Sequence, residues 1–185
     1  LKPCNETVLG VLGYGAIGQA VARRAAAFGY QLKFHDPAFA HCPDGVAQAC
    51  SFEALLAQAD ILTLHLPLTS ATHHLFNERN LARIKPGAVL VNTSRGGLID
   101  SDSLLRALDS GQVSQALLDV VEHEPAILPA LRTHARVALT PHAAFCSQRS
   151  LSTLKARALG TLLAMLEKTP SVTANKRWPQ DQEGD

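Results

Sequence analysis

The sequence lacks long hydrophobic runs, paired cysteine motifs and clustered charge of one sign. Its nearly uncharged apolar stretches, such as residues 61–68, are far shorter than the ~20 residues that a bilayer span requires, and no secretory signal pattern is present. The cysteines, at positions 4, 42, 50 and 146, form no C-x-x-C pair, so neither a local zinc or redox site nor a disulfide framework is expected. These absences predict a cytoplasmic protein without a membrane partner.

The composition predicts one folded domain that does not bind nucleic acid directly. The 17 Lys+Arg residues nearly balance the 16 Asp+Glu residues, and no basic run is dense enough to follow a phosphate backbone. A hydrophobic fraction of 46% and a charged fraction of 18% are typical of a chain that buries a core. With ~150 residues per domain as a guide, we expect one domain over residues 1–170 and a polar tail over residues 171–185.

Apolar runs alternate with helical patterns along the chain. Runs rich in Val, Ile and Leu predict strands at residues 7–12, 31–35, 61–66, 88–92, 116–120 and 136–139. Apolar periodicity predicts helices at residues 17–28, 51–58, 101–110 and 147–168, and places Ile17, Val21, Ala25 and Phe28 on the buried stripe of the first. Most strands are apolar without alternation, which indicates that helices cover both faces. The pattern predicts an α/β fold of Rossmann type, a doubly wound and mostly parallel sheet.

A glycine-rich turn follows the first predicted strand and opens the first predicted helix. It reads Gly13-Tyr14-Gly15-Ala16-Ile17-Gly18. This is the spacing of a dinucleotide-binding fingerprint, in which the first glycine permits the turn, the second lets the backbone approach a pyrophosphate and the third allows close helix–strand packing. The helix N-terminus would face the phosphates with unpaired N–H groups.

Asp36 gives the glycine motif its specificity. It lies 18 residues beyond Gly18, near the ~20 expected for an acid that binds the adenosine ribose. A carboxylate accepts hydrogen bonds from a free 2′-hydroxyl but repels a 2′-phosphate, and no Arg stands in residues 35–43. NAD is therefore the expected cofactor. In the alternative interpretation the glycines only shape a tight turn and Asp36 caps local structure.

Three later segments each follow a predicted strand and carry one reactive side chain. These side chains are Arg95, Glu124 and His142, and the last lies 47 positions beyond the first. Because ligands bind at the C-terminal ends of strands in an open α/β sheet, we expect the three to converge on one crevice. A guanidinium can hold a carboxylate, an imidazole can transfer a proton near neutral pH, and an adjacent carboxylate can orient that imidazole.

These segments, in this order, resemble the NAD-binding domain of the D-isomer-specific 2-hydroxyacid dehydrogenases over about residues 8–172. Residues 92–97 are similar to the family's arginine signature, residues 118–120 with 124–125 to its glutamate signature, and residues 140–142 to its histidine signature. The resemblance implies hydride transfer between NAD and small 2-hydroxy or 2-oxo acids. It assigns substrate binding to Arg95, general acid/base catalysis to His142 and support of that imidazole to Glu124.

The resemblance also implies cofactor contacts and an assembly. Asp119 would contact the nicotinamide carboxamide, with Thr93 and Ser94 beside the nicotinamide. From its position at the end of the third predicted strand, His65 is a further candidate contact, with a packing role as the equal alternative. Within the family, residues 23–25, 27–29, 91–97 and 142–145 look most similar to the C-terminal binding protein branch, whose members are NAD-dependent dimeric corepressors. That likeness predicts a homodimer, and it leaves open an alternative function as a nicotinamide-responsive interaction module.

Further expectations concern the substrate domain, metal ligands and Cys146. Since the family builds its substrate domain mainly before the glycine-rich turn, and only residues 1–7 precede the first predicted strand, we expect that domain to be largely absent here. The remaining histidines have no metal-ligand spacing and are expected to be solvated loop residues, at positions 41, 73, 74, 123 and 134. No metal is therefore expected. Cys146 is expected to be a buried structural thiol.

Overall fold

The computed structural model describes residues 2–166 of the chain, so the predicted tail and the last two residues of the predicted final helix lie outside the described range. Within that range one sheet has seven strands, and all of their pairings are parallel. The strands are β1 Val8–Leu12, β2 Gln31–His35, β3 Gln48–Ala49, β4 Ile61–Leu64, β5 Ala88–Asn92, β6 Val113–Leu118 and β7 Val137–Leu139.

The strand order creates a crevice at one edge of the sheet. The order is β3-β2-β1-β4-β5-β6-β7, so the chain builds outward from β1 in one direction and then returns to β4 on the other side of β1. In open α/β sheets ligands bind at the C-terminal ends of the strands where the order reverses. The predicted doubly wound α/β fold is confirmed.

Helices connect most of the strands, and several of them begin at a residue whose side chain caps the helix. The helices are α1 Ala16–Ala27, α2 Phe52–Gln58, α3 Glu78–Leu81, α4 Ser101–Asp109, α5 Pro129–Thr133 and α6 Gln148–Leu166. Ser51 caps α2 by accepting a hydrogen bond from the Ala54 N–H, and Asp100 caps α4 through the Ser103 N–H. Among residues 2–166, no helix has both the length and the apolar character that crossing a bilayer requires.

Two apolar cores lie against the sheet. The smaller contains Val11, Phe34 and Ala22 of α1, and the larger contains Leu55 of α2 and Leu104 of α4. Together these cores bury the Val- and Leu-rich strands on both sides, which is why most strands show no polar alternation.

The buried stripe predicted for α1 is partly wrong. Gly18, Ala22 and Ala25 face the sheet, whereas Ile17 is 67% exposed and Phe28 is 73% exposed. A Cβ on Gly18 would lie 2.1 Å from the Gly13 carbonyl oxygen, so small residues are needed for α1 to approach the sheet this closely. Ile17 instead faces the crevice beyond β1.

The last described helix does not cover the sheet. Apart from Ser150, which is half-buried, every α6 residue with a described side chain is exposed. The apolar residues of its predicted apolar face are therefore not covered by the described part of the chain; they include Leu151, Leu154, Leu162 and Met165.

Candidate active site

The glycine-rich turn lies at the reversal of strand order. Gly13 has φ +90°, and a Cβ there would lie 2.5 Å from the carbonyl oxygen of His65, at the end of the neighbouring strand. Gly15 precedes the first residue of α1, so the free N–H groups of Ala16 and Ile17 open towards the space beyond β1. This local structure fits a pyrophosphate, which needs a backbone it can approach and a helix N-terminus.

Asp36 lies directly beside this turn. One carboxylate oxygen accepts a hydrogen bond from the Tyr14 N–H at 2.8 Å, and the other accepts one from the Ala38 N–H at 2.9 Å. Each oxygen keeps a further lone pair for a ligand hydroxyl. The structure thus brings the predicted ribose acid to the predicted phosphate-binding turn.

A crevice of about 660 Å³ lies at the same edge. It brings together five of the predicted cofactor and substrate residues with an apolar wall; the lining residues are Ile17, His65, Leu66, Pro67, Leu68, Thr93, Ser94, Arg95, Ala144 and Phe145. Burial lowers the pKa of His65 to about 4, so its imidazole is neutral at physiological pH, and Nε2 lies 3.1 Å from the Thr63 Oγ1. A neutral, largely apolar wall suits a flat heteroaromatic ring.

Arg95 is exposed on a short turn after β5, and the buried side-chain amide of Asn92 holds the backbone of that turn. The Asn92 side chain accepts a hydrogen bond from the Ser94 N–H at 3.0 Å and donates one to the Arg95 carbonyl at 2.9 Å. The Ser94 hydroxyl donates to the Leu64 carbonyl of β4. Asn92 is fully buried, and the sequence motifs assign it no role, although a polar residue ending an apolar strand is a signal for one.

His142 and Glu124 form the pair that the sequence predicted. His142 Nδ1 lies 2.7 Å from Glu124 Oε2, and the other Glu124 oxygen accepts a hydrogen bond from the Val121 N–H at 2.8 Å. Burial raises the pKa of the Glu124 carboxyl, but the hydrogen bonds from Val121 and His142 outweigh it, so the pKa lies below its ordinary value. An ionised Glu124 would orient the imidazole through this contact.

Asp119 organises the loop that carries His142. Its carboxylate is nearly buried and accepts hydrogen bonds from the Thr140 hydroxyl at 2.5 Å and from the N–H groups of Ala143 and Ala144 at 2.9 Å. Burial raises the pKa of Asp119, but these hydrogen bonds outweigh burial and bring the pKa below its ordinary value. The described contacts therefore give Asp119 a positioning role, and its predicted contact with the nicotinamide stays a prediction.

The three reactive side chains do not share one cavity. Arg95 lines the large crevice, whereas Glu124 and His142 line a neighbouring hollow of about 250 Å³. The two are connected by the segment after His142, since Phe145 lines the large crevice and its ring meets the His142 ring edge-on at 6.0 Å. Arg95 and the His142–Glu124 pair therefore line two adjoining hollows at one edge of the sheet, and their convergence around a bound substrate stays a prediction.

Sequence reasoning missed a second histidine–carboxylate pair, formed by His74 and Glu122. Glu122 Oε1 lies 2.5 Å from His74 Nε2, and Oε2 accepts a hydrogen bond from the Ser101 N–H at 2.9 Å. A Cβ on Gly96 would lie 2.0 Å from the Val121 carbonyl oxygen, so the turn after Arg95 packs directly on the loop before Glu124. No local pattern could show this, because His74 and Glu122 are 48 residues apart.

Two other sequence expectations are wrong. His74 and His134 are not simply solvated, since His74 bonds Glu122 and His134 Nε2 lies 3.3 Å from Asp109 Oδ1. Cys146 is exposed rather than buried, because the segment that carries it precedes the uncovered helix α6.

Comparisons with known proteins point to one family. Residues 2–144 match the family model for the NAD-binding domain of D-isomer specific 2-hydroxyacid dehydrogenases. The chain is similar to 4-methyl-2-oxopentanoate reductase A of Aspergillus oryzae, with 39% identity over 167 residues that cover 90% of this chain and 51% of that protein.

Solved structures of this family have the same fold as the chain. The fold matches a glyoxylate reductase from Paecilomyes thermophila with a TM-score of 0.88 and 39% identity, over 95% of this chain and 54% of that one. It also matches the NAD-complexed D-isomer specific 2-hydroxyacid dehydrogenase of Lactobacillus delbrueckii ssp. bulgaricus with a TM-score of 0.82 and 27% identity, over 92% and 56% of the two chains. The chain thus spans about half the length of these relatives. From its fold, its glycine-rich turn and these matches, the chain belongs to the D-isomer specific 2-hydroxyacid dehydrogenases, as their NAD-binding domain.

Proposed function

We propose that this chain is the NAD-binding half of an oxidoreductase that interconverts D-2-hydroxy acids and 2-oxo acids. The observation that carries the proposal is the 2.7 Å contact of His142 with Glu124, next to the crevice that Arg95 lines. An acid/base group, its carboxylate partner and a cation stand at the edge of the sheet that also carries the glycine-rich turn. A domain that only bound dinucleotide would have no physical use for the first three.

The cofactor would be held by residues of the turn and of the crevice wall. The N–H groups that open α1 would bind the pyrophosphate, and Asp36 would accept hydrogen bonds from the adenosine ribose. The nicotinamide end fits the crevice wall formed by Ile17, Thr93 and Ser94, where its ring would meet mainly apolar atoms and the neutral His65. When bound, the cofactor supplies or accepts the hydride.

The chain's own side chains would then manage the substrate's charge and proton. Arg95, which is exposed at the crevice, would bind the substrate carboxylate and polarise the adjacent carbonyl. His142 would donate a proton from its free ring nitrogen to the developing alkoxide, and would take it back in the oxidative direction. Because Glu124 occupies Nδ1, Nε2 is the nitrogen that faces this task.

Single-turnover measurements would test the proposal. We expect the chain, mixed at high concentration with NADH and glyoxylate or 4-methyl-2-oxopentanoate, to oxidise NADH slowly, and the chiral product of the second substrate to be the D isomer. His142→Asn should reduce the rate about 10²- to 10⁴-fold, the usual worth of a general acid/base, while NADH binding is unchanged. His41→Asn, at an exposed loop position, is the matched control. Equal rates for His142→Asn and the unaltered chain would refute the assignment.

Three finer proposals accompany this one. The likeness of residues 91–97 and 142–145 to the C-terminal binding protein branch supports a corepressor-type function as the second candidate, but the relatives described above are dehydrogenases and reductases and favour the enzyme. The exposed apolar face of α6 supports a homodimer. The near-neutral charge and the unpaired cysteines support a cytoplasmic location.

A further inference from the structure

Three side chains that could bind a metal ion meet behind the proposed active site. They are His73, His74 and Glu122, and one ligand atom from each lies within 4.8 Å of the other two. The two imidazole rings stack with their centroids 3.9 Å apart, and Glu122 Oε1 lies 2.5 Å from His74 Nε2. The proposed hydride transfer uses none of these groups.

The backbone holds this cluster in place. The His73 N–H donates to the Thr69 carbonyl at 2.8 Å, and the His74 N–H donates to the Gly97 carbonyl at 2.8 Å. Glu122 is fixed from the other side, because its Oε2 accepts a hydrogen bond from the Ser101 N–H at the start of α4. The backbone that carries the two histidines and the carboxylate of Glu122 are therefore ordered before an ion arrives, which lowers the entropic cost of binding.

The donor set matches one class of ion. Two imidazole nitrogens and a carboxylate oxygen are ligands of Zn²⁺, and three protein ligands with water in the fourth position form an open tetrahedral site. Zinc bonds of ~2.0–2.2 Å place neighbouring ligand atoms about 3.3 Å apart. Ligand atoms that are up to 4.8 Å apart must therefore approach by about 1.5 Å, and the His74–Glu122 pair, at 2.5 Å, must open by about 0.8 Å. His73 is exposed, which gives an ion access from solvent. We propose that His73, His74 and Glu122 form a binding site for a divalent transition-metal ion, with Zn²⁺ as the natural occupant.

An ion at this position would connect two parts of the site. His74 bonds the carbonyl of Gly97, two residues beyond Arg95, and Glu122 stands two residues before Glu124. The ion would replace the His74–Glu122 hydrogen bond with two stronger bonds between the same segments. Since the ion binds the folded chain, it should also raise the thermal unfolding midpoint as its concentration rises.

Calorimetric titration of the tag-free chain with Zn²⁺ would test the site. We expect one ion per chain, and a loss of affinity of about tenfold or more in His73→Ala and in Glu122→Gln, since each removes one ligand. Glu122→Gln keeps the shape and the Ser101 contact, so it should remain folded. His41→Ala, which removes an exposed histidine elsewhere, should change the affinity less than twofold. Co²⁺ absorption provides a second measurement, because a site without sulfur shows no thiolate charge-transfer band.

Each outcome has one meaning. Selective loss of binding in His73→Ala and Glu122→Gln, without a thiolate band, supports the site. Unchanged affinity in both variants, or equal loss in His41→Ala, overturns it. Loss of binding in Cys146→Ser would also overturn it, because the exposed thiol would then be the ligand. None of these measurements needs NADH or a hydroxy acid, so the result is independent of the proposed enzymatic function.

Discussion

His142 depends on two carboxylates that act in different ways. Glu124 touches the imidazole itself, whereas Asp119 holds the loop on which His142 stands through Thr140, Ala143 and Ala144. The pKa values of both carboxyls lie below their ordinary values because hydrogen bonds to the ionised form outweigh burial. Both therefore stay charged at neutral pH, and His142 is held by two anions from one short stretch of chain.

Asp36 should decide between the two nicotinamide cofactors. We expect NADH to bind more tightly than NADPH by about tenfold or more, the effect of a carboxylate meeting a 2′-phosphate rather than a hydroxyl. Asp36→Ala should reduce the difference between the affinities for NADH and NADPH. The Asp36 carboxylate also accepts hydrogen bonds from the Tyr14 and Ala38 N–H groups. Asp36→Asn is therefore the better second variant, because it removes the charge but keeps one acceptor oxygen.

Calorimetric titration with both reduced cofactors would measure this preference. Asp102→Asn, an exposed acid on α4, is the control for a change in net charge alone. Equal affinities for NADH and NADPH in the unaltered chain would contradict the role of Asp36.

At the scale of elements, Asp60 connects the beginnings of neighbouring strands. Its carboxylate accepts hydrogen bonds from the Val8 N–H of β1 at 2.9 Å, from Lys85 at 2.9 Å and from Lys2 at 3.0 Å. Burial raises the pKa of Asp60, but these partners outweigh it and lower the pKa to about 2. The carboxylate therefore stabilises the strand edge opposite the active site.

The lowered pKa predicts acid sensitivity. Since an aspartate ordinarily has a pKa of 3.8 and Asp60 in the folded chain has a pKa of about 2, its contribution is fully present above about pH 4 and is lost as the pH falls towards 2. We expect Asp60→Asn to lower the free energy of unfolding by about 1–2 kcal/mol at neutral pH and by much less near pH 2. Urea unfolding over a pH series would measure the difference. A constant difference between the two proteins at every pH would show that the charge is unimportant.

The turn after Arg95 packs closely on the loop before Glu124, and this contact predicts that a larger residue at position 96 destabilises the fold. Gly96→Ala would place a Cβ 2.0 Å from the Val121 carbonyl oxygen, so one loop must shift. We expect a loss of about 1–3 kcal/mol in the free energy of unfolding, as for overpacked cores, together with a weaker His142–Glu124 pair. Thermal unfolding and the single-turnover rate would measure both effects.

Gly160→Ala is the matched control for Gly96→Ala. Gly160 lies in α6, and a Cβ added there would meet no atom within 4 Å, so alanine should be neutral or stabilise by about 0.5–1 kcal/mol through helix propensity. If both substitutions had the same effect, the close approach at Gly96 would not be the cause.

The sequence predicts long elements better than short ones. The strands at residues 31–35 and 88–92 are predicted with the observed bounds, because each contains the apolar residues of a strand and ends at a polar residue. Strand β3 is missed because it has only two residues, and helices α3 and α5 are missed because four or five residues are too few to show a helical period. Ile17 misleads the prediction for α1, because it faces a ligand crevice and so looks like a core residue.

For the site, the sequence could predict which residues are reactive but not which cavity each one lines. Arg95, Glu124 and His142 each follow a strand, so their position at one edge was predictable. The separation of Arg95 from the other two depends on how residues 142–145 fold over that edge. The His74–Glu122 contact depends on the packing of distant loops, which no spacing rule describes.

For the whole molecule, the relatives' greater length predicts how this chain behaves alone. The chain corresponds to about half of the relatives described above, and positioning two reactants can supply ~7–11 kcal/mol of a barrier. We therefore expect the 185-residue chain to bind NADH but to reduce 2-oxo acids well below the usual ~1–1000 per second. Steady-state absorbance measurements would test this. Turnover in the usual range would show that these residues suffice for catalysis.

The exposed face of α6 predicts self-association. Leu154, Leu162 and Met165 are 53–62% exposed, and a contiguous apolar surface of this kind is normally covered by a partner. We expect a two-fold homodimer, the commonest closed assembly, by light scattering at micromolar concentration. Leu154→Glu with Leu162→Glu should give monomers, while Lys155→Glu should not. A monomer mass for the unaltered chain, with and without NADH, would refute the dimer, and a mass that rises only with NADH would favour the corepressor-type function.

The short outermost strands of the sheet affect how the protein aggregates. The outermost strands, β3 and β7, have only two and three residues. An edge this short offers few unpaired backbone groups to another chain, so the sheet is a poor template for the strand-to-strand stacking that leads to amyloid-like aggregates. Precipitation of this protein should therefore begin at helical surfaces rather than at sheet edges, and charged substitutions on a helix should prevent it more effectively than substitutions in β3 or β7.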